Sequence, residues 1–204
     1  MYLVKTPLLI SRLTSRSLVW RISTKSKKIF LSFDDGPIPH LTMEILAYLN
    51  EYNAKATFFC VGQNAEQYPE LIDRILDDGH NIGNHSYQHI NGWKTSSKDY
   101  FENVKKAAKH INSNLFRPPY GRINYNQIRR LKVDYKIIMW SILSGDFDLE
   151  ISPQQCLKNV LQSKEGDIVV FHDNMKAVEK IHYVLPRYLD YFTKQGYQFC
   201  SVNV

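Results

Sequence analysis

Short apolar runs alternate with amphipathic stretches along most of the chain, and that alternation predicts strands and helices in turn. Residues 29–33, 55–61, 81–84, a short run ending near Arg117, 135–142, 167–172 and 197–202 read as strands. Between them, 41–52, 65–78, 97–114, 124–131, 153–163 and 175–195 carry helical patterning, as where Leu41, Ile45, Leu49 and Tyr52 recur at helix period. Gly79 and Gly196 stand where helix C-caps are expected. Strands that alternate with helices predict a parallel sheet, and helical crossovers close such a sheet into a barrel. Barrels gather their chemistry beyond the C-terminal ends of the strands, so the residues after each apolar run carry the most information.

Composition narrows the picture. A chain of 204 residues, 44% hydrophobic and 23% charged, has enough apolar material for one substantial core. No apolar run approaches the ~20 residues that cross a bilayer, and no repeat or low-complexity tract stands out. The net charge of +6 is unevenly placed: Lys5, Arg12, Arg16, Arg21, Lys25, Lys27 and Lys28 precede Asp34, and no acid does. The remaining 19 cations face 20 acids, so the body lacks the basic surface of a nucleic-acid binder. Residues 1–27 form a basic leader whose Leu8, Leu9, Ile10, Leu13, Leu18, Val19, Trp20 and Ile22 suit either of two placements. One straps the leader over the base of the barrel; the other lays it on an anionic membrane surface. Its Leu8-Leu9-Ile10 run is shorter than the roughly 7–15 residues of a signal-peptide core, so the expectation is a cytoplasmic protein, with or without membrane association. Cys60, Cys156 and Cys200 are widely spaced with no C-x-x-C pair, which predicts inert thiols rather than disulfides or a zinc knuckle.

Four segments hold the candidate chemistry. The first strand ends in Asp34-Asp35-Gly36-Pro37. Neighbouring side chains on a strand point to opposite faces, so both carboxylates serve one site only if the backbone twists there, and Gly36 and Pro37 are the expected source of the twist. The alternative is a solvated Asp-Gly turn. In the second segment, His85 and His89 stand four residues apart, a spacing that aligns two imidazoles on one helical turn and lets a metal bridge them. Hydrolytic zinc sites commonly use three protein ligands and leave one position for water; one Asp with two His meets that count. The third segment, Arg117-Pro118-Pro119-Tyr120-Gly121, is stiff enough to aim a backbone N–H at developing negative charge while its guanidinium orients a carboxylate, unless it is only a polyproline-like connector. In the fourth, an apolar strand delivers His172, a natural proton donor near neutral pH.

Five ordered motifs, Ser32-Phe33-Asp34-Asp35-Gly36, His85-Ser86-Tyr87-Gln88-His89, Arg117-Pro118-Pro119-Tyr120-Gly121, Leu143-Ser144-Gly145-Asp146-Phe147 and Val170-Phe171-His172, resemble those of the polysaccharide deacetylases, the NodB-like carbohydrate esterase family four. The resemblance covers about residues 28–204 and implies a catalytic domain over that span, folded as a distorted (β/α) barrel of seven or eight parallel strands. It implies that Asp34 is the general base, and that Asp35, His85 and His89 bind a divalent metal, usually Zn2+, with Co2+ or another transition metal as substitutes. His172 is then the general acid, Arg117 orients the base, the Tyr120 N–H stabilises the oxyanion, and Asp146 supports His172 or the Arg117 network. The fourth motif departs from the pattern: Leu143 replaces an acid and Phe147 a tryptophan. The expected reaction is hydrolysis of an N-acetyl group on an N-acetylglucosamine-type sugar. Alternatives are a sugar O-acetyl esterase and a catalytically silent carbohydrate-binding barrel. Because many of the family's substrates are cell-wall polymers, a lipid-linked or soluble sugar precursor reconciles the chemistry with the expected compartment.

Overall fold

The computed structural model describes residues 2–7, 9–10, 14 and 16–203. Leu8, Arg12 and Leu13 of the leader lie outside the described residues. Among the described residues, nine strands make one sheet: β1 (Leu18–Val19), β2 (Lys28–Asp34), β3 (Thr57–Cys60), β4 (Asn81–Asn84), β5 (Leu115–Phe116), β6 (Lys136–Ile138), β7 (Ile142–Leu143), β8 (Ile168–His172) and β9 (Gln198–Cys200). Eight of them follow one path, β1-β6-β5-β4-β3-β2-β8-β7, while β9 branches onto β2. Every strand-to-strand pairing is parallel, as the alternation predicted, and the sheet forms the distorted barrel that the resemblance implied.

Among the described residues, seven α-helices lie between the strands: α1 (Leu41–Glu51), α2 (Gly62–Gln67), α3 (Pro69–Asp77), α4 (Ser97–Ala107), α5 (Tyr125–Leu131), α6 (Pro153–Val160) and α7 (Val178–Lys194). Strand β2 is buried along nearly its whole length, as its unbroken apolar sequence requires for a strand covered on both faces. On one side Ile29, Leu31 and Phe33 meet Ile45 and Leu49 of α1 and Val184, Leu185 and Tyr188 of α7 in a single cluster. Phe33 stacks between Phe58 and Phe171 at centroid distances of 5.1 and 5.9 Å. Each such side chain contributes about 1.5–3 kcal/mol on burial, so the wall that carries the strand ends is rigid.

Three elements differ from the sequence expectation. The helix expected over 65–78 is two, α2 and α3, because Pro69 has no N–H to continue the first and serves as a helix start for the second. The strand expected over 135–142 divides into β6 and β7, since Ser141 turns its N–H to the Ile168 carbonyl at 3.0 Å and its hydroxyl to Asp167 at 2.6 Å. β1 comes from the leader and is too short to show periodicity. The leader also reaches β7, where Lys5 opposes Ile142 in an antiparallel bridge, and Arg21 pairs with buried Asp167 at 3.1 Å. Cys60 and Cys156 are buried free thiols and Cys200 is half-buried. Among the described residues no helix is long and apolar enough to cross a membrane.

Candidate active site

Asp34 closes β2, in register with Phe59 of β3 and His172 of β8. The chain turns at the next residue, and the turn is made by Asp35 itself, at φ 81° in the left-handed region that Asp tolerates better than most residues. The expectation that Gly36 and Pro37 supply the twist is therefore corrected. Gly36 answers a different need, close approach: a Cβ there would sit 2.1 Å from Asp173 Oδ2. Asp173 lies beneath the loop and accepts from Thr42 Oγ1 at 2.6 Å, and Thr42 Oγ1 accepts from the Ile38 N–H at 2.7 Å. Burial, with the Asp35 carboxylate nearby, lifts the Asp173 carboxyl to about 7. The loop is held from above by Asn64, whose amide donates to the Asp35 carbonyl at 2.8 Å.

His85 and His89 follow β4, but no helix aligns them. Ser86 and His89 are both left-handed, at φ 61° and 52°. Side-chain acceptors replace the carbonyls of a helix here: Asn84 Oδ1 takes the Ser86 N–H at 2.8 Å, and Asn103 Oδ1 takes those of Tyr87 and Gln88 at 2.8 and 3.1 Å. The two rings nevertheless come together, centroids 5.0 Å apart. Asp35 Oδ1 lies 3.1 Å from His89 Nε2 and 3.6 Å from His85 Nε2, and one ligand atom from each of the three lies within 4.8 Å of the others.

The donor set fits a cation. Asp35 Oδ1 is buried without a hydrogen-bond partner, whereas Oδ2 accepts from Asn174 Nδ2 at 2.6 Å. His85 Nδ1 donates to the Arg117 carbonyl at 2.8 Å, which leaves its Nε2 lone pair facing the cluster. Burial pushes His85 down to about 4, so its ring is neutral. Burial works to raise Asp35, but the neighbouring His89 and His172 imidazoles override it and hold the carboxyl below its usual range. His89 Nδ1 is 3.1 Å from the Tyr120 hydroxyl, which can accept its proton and free Nε2 in the same way.

Two polar pairs flank this cluster. On one side Arg117, fully buried, donates from Nη1 to Asp34 Oδ1 at 2.6 Å and to Ser32 Oγ at 2.8 Å, and from Nη2 and Nε to the Met139 and Ile138 carbonyls at 3.0 and 3.2 Å. Its guanidinium rests on the Phe59 ring, 4.0 Å from the centroid. On the other side His172 Nδ1 is 2.7 Å from Asp146 Oδ1, while Asp146 Oδ2 accepts the His172 backbone N–H at 2.7 Å. Burial alone would lower His172, but Asp146, with Asp35 and Asp34 beyond it, lifts it to about 9. Asp146 thus serves His172 rather than Arg117. Tyr120 sits at φ 60° in a 3-10 turn (Pro119–Gly121) entered from extended Pro118, so the segment is a stiff turn and not a polyproline connector.

Asp34, Asp35, His85, His89, Tyr120 and His172 line one cavity of about 650 Å³, with Leu143 and Phe147 among its apolar walls. Arg117 and Asp146 stand behind it. Ser32, Ser144 and Asn174 also serve the site and were not anticipated as site residues. Ser32 carried a signal, as a polar residue inside an apolar strand; the partners of Ser144 and Asn174 depend on contacts that no local pattern shows.

Fold and site define a hydrolase working at the C-terminal rim of a parallel barrel. A polysaccharide deacetylase family model matches residues 21–135, and the chain belongs to that family. It is 32% identical over 194 residues to a peptidoglycan-N-acetylglucosamine deacetylase of Bacillus cereus, covering 91% of each. It is 30% identical to the peptidoglycan-N-acetylmuramic acid deacetylase PdaC of Bacillus subtilis, over 89% of this chain and 39% of that one. The fold is similar to the crystal structure of the Bc1960 peptidoglycan N-acetylglucosamine deacetylase in complex with a naphthyl-N-oxidanyl-benzamide, with a TM-score of 0.86, 30% identity and 91% of each chain covered.

Proposed function

We propose that this protein hydrolyses the N-acetyl group of an N-acetylglucosamine-type unit in a glycan, releasing acetate, with a divalent metal held by Asp35, His85 and His89. The observation that carries the reading is the buried, unpartnered Asp35 Oδ1 set between two imidazole nitrogens, with a carboxylate–guanidinium pair on one side and an imidazole–carboxylate pair on the other. The names of the similar proteins direct it toward peptidoglycan.

When bound, a divalent metal supplies Lewis-acid polarisation of the acetamide carbonyl and a lowered pKa for water; zinc suits two imidazoles and one carboxylate. The chain's own residues do the rest. Asp34, fixed by Arg117, takes a proton from the attacking water. The Tyr120 N–H donates to the oxyanion; the next two amides, of Gly121 and Arg122, are already committed to the Pro118 and Pro119 carbonyls. His172 keeps Nδ1 on Asp146, which leaves Nε2–H to protonate the departing amine. A pKa lifted to about 9 means that His172 holds this proton at neutral pH.

The test is acetate release from N-acetylglucosamine oligomers, comparing chelator-stripped with zinc-restored protein. Release that returns with zinc is expected. Asp34→Asn should keep zinc and lose turnover by about 10²–10⁴-fold; loss of zinc in that variant would exchange the roles of base and ligand. Release from O-acetylated but not N-acetylated sugars would replace the reading with an esterase, and tight glycan binding without turnover would replace it with a silent barrel.

A further inference from the structure

One wall of the cavity comes from the first residues of the chain. Residues 4–6 run antiparallel to β7: Lys5 opposes Ile142, the Leu143 N–H donates to the Val4 carbonyl at 2.8 Å, and the Thr6 N–H donates to the Ser141 carbonyl at 2.9 Å. Thr6 Oγ1 adds a bond to the Trp140 carbonyl at 2.9 Å. That register carries Tyr2 past the C-terminal end of β7 and into the cavity that holds Asp34, Asp35 and His172. There the Tyr2 ring meets Phe147, centroids 5.2 Å apart and planes at 54°. Phe147 in turn meets His172 edge-on, at 4.9 Å and 68°.

The strap bonds of residues 4–6 anchor the Tyr2 end of this three-ring series, and burial together with the Asp148 carboxylate beside it pushes the Tyr2 hydroxyl up. Gly145, at φ 80°, leaves room for it, since a Cβ there would lie 2.6 Å from that oxygen. At the other end Asp146 holds His172 by side chain and backbone together. The ring between them, Phe147, is the residue that stands where a tryptophan was expected, and it touches both Tyr2 and His172. Offset and edge-on ring pairs are attractive beyond their buried area, so the series favours one orientation of the imidazole.

We infer that Tyr2 is a positioning residue for the general acid: it holds Phe147 against His172, so that the N-terminal strap is part of the active site. The inference rests on the proposed role of His172, and the test separates the two. It uses the full chain loaded with zinc, as wild type, Tyr2→Ala, Tyr2→Phe, Phe147→Ala and the Tyr2→Ala/Phe147→Ala double variant. The readouts are kcat and KM on N-acetylglucosamine oligomers and the NMR shifts of the His172 ring protons, which carry the ring current of Phe147.

Tyr2→Ala should lower kcat about two- to tenfold, as loss of one ring pair predicts, with a smaller change in KM. Its His172 shifts should move toward those of Phe147→Ala, Tyr2→Phe should restore both readouts, and the double variant should be no slower than Phe147→Ala alone. Unchanged His172 shifts in Tyr2→Ala, or losses that add in the double variant, would overturn the inference. His172 shifts that respond as expected in a protein without turnover would leave the positioning role standing and remove the proposed reaction.

Discussion

The two sides of the candidate site are built differently. On the Asp34 side, Arg117 spends its donors on two main-chain carbonyls, a serine hydroxyl and the carboxylate, with an aromatic face beneath it and no solvent exposure. On the His172 side, Asp146 is equally buried, but the imidazole is bounded by Phe147, from the loop after β7, and through it by Tyr2 from the chain's first residues. Asp34 is thus held by a residue whose other bonds reach β2 and the chain at and after β6, whereas the His172 ring, at the end of β8, is bounded by the loop after β7, which the N-terminal strap backs. The departures from the family pattern, Leu143 and Phe147, both fall on the His172 side, Leu143 in register with Val170 of β8 and Phe147 against the imidazole.

The largest effect should come from removing the partner on the rigid side. Arg117→Leu leaves Asp34 buried without its counter-charge and should cost about 3–5 kcal/mol of unfolding free energy in urea, with turnover absent. A mild stability loss there would break the distinction. His172→Ala should lower kcat by about 10²–10⁴-fold. It should destabilise less than Arg117→Leu, because Asp146 keeps the Ser144 hydroxyl at 2.8 Å and the backbone N–H at position 172. Parallel urea titrations of the two variants compare the sides directly.

The smallest of the three effects is a shift in pH profile. Asp146 is what raises His172 against the lowering effect of burial. In the proposed role of general acid His172 must carry its proton, so Asp146→Asn should move the alkaline limb of kcat to lower pH, by about 1–3 units. An unmoved limb would mean that another group sets it.

The strand ends were legible in the sequence because Asp34 and His172 each close an apolar run, and runs of that kind are local. The two histidines were legible as a pair but not in their conformation: the helical spacing of His85 and His89 is met by a loop with two left-handed residues, stabilised by Asn103, which lies 14 residues beyond His89 in the chain. Pro69 was visible as a residue that interrupts helices, yet the amphipathic pattern ran across it and hid the break. The Arg117–Asp34 pair and the Tyr2–Phe147 contact join positions more than 80 residues apart, and no period or motif encodes such a contact. β1 escaped for the opposite reason, since two residues carry too little pattern to separate a strand from a basic leader.

The antiparallel course of residues 4–6 along β7 bears on how the protein can be handled. An affinity tag or fusion partner attached ahead of Tyr2 emerges beside the cavity that Tyr2 lines, where it would compete for space with the proposed glycan. The other end of the chain leaves from the opposite pole: β9 pairs with the start of β2, and Val202 donates to Thr57 at the start of β3. Carboxyl-terminal attachment therefore leaves the cavity mouth clear for immobilisation and for activity assays on long glycans.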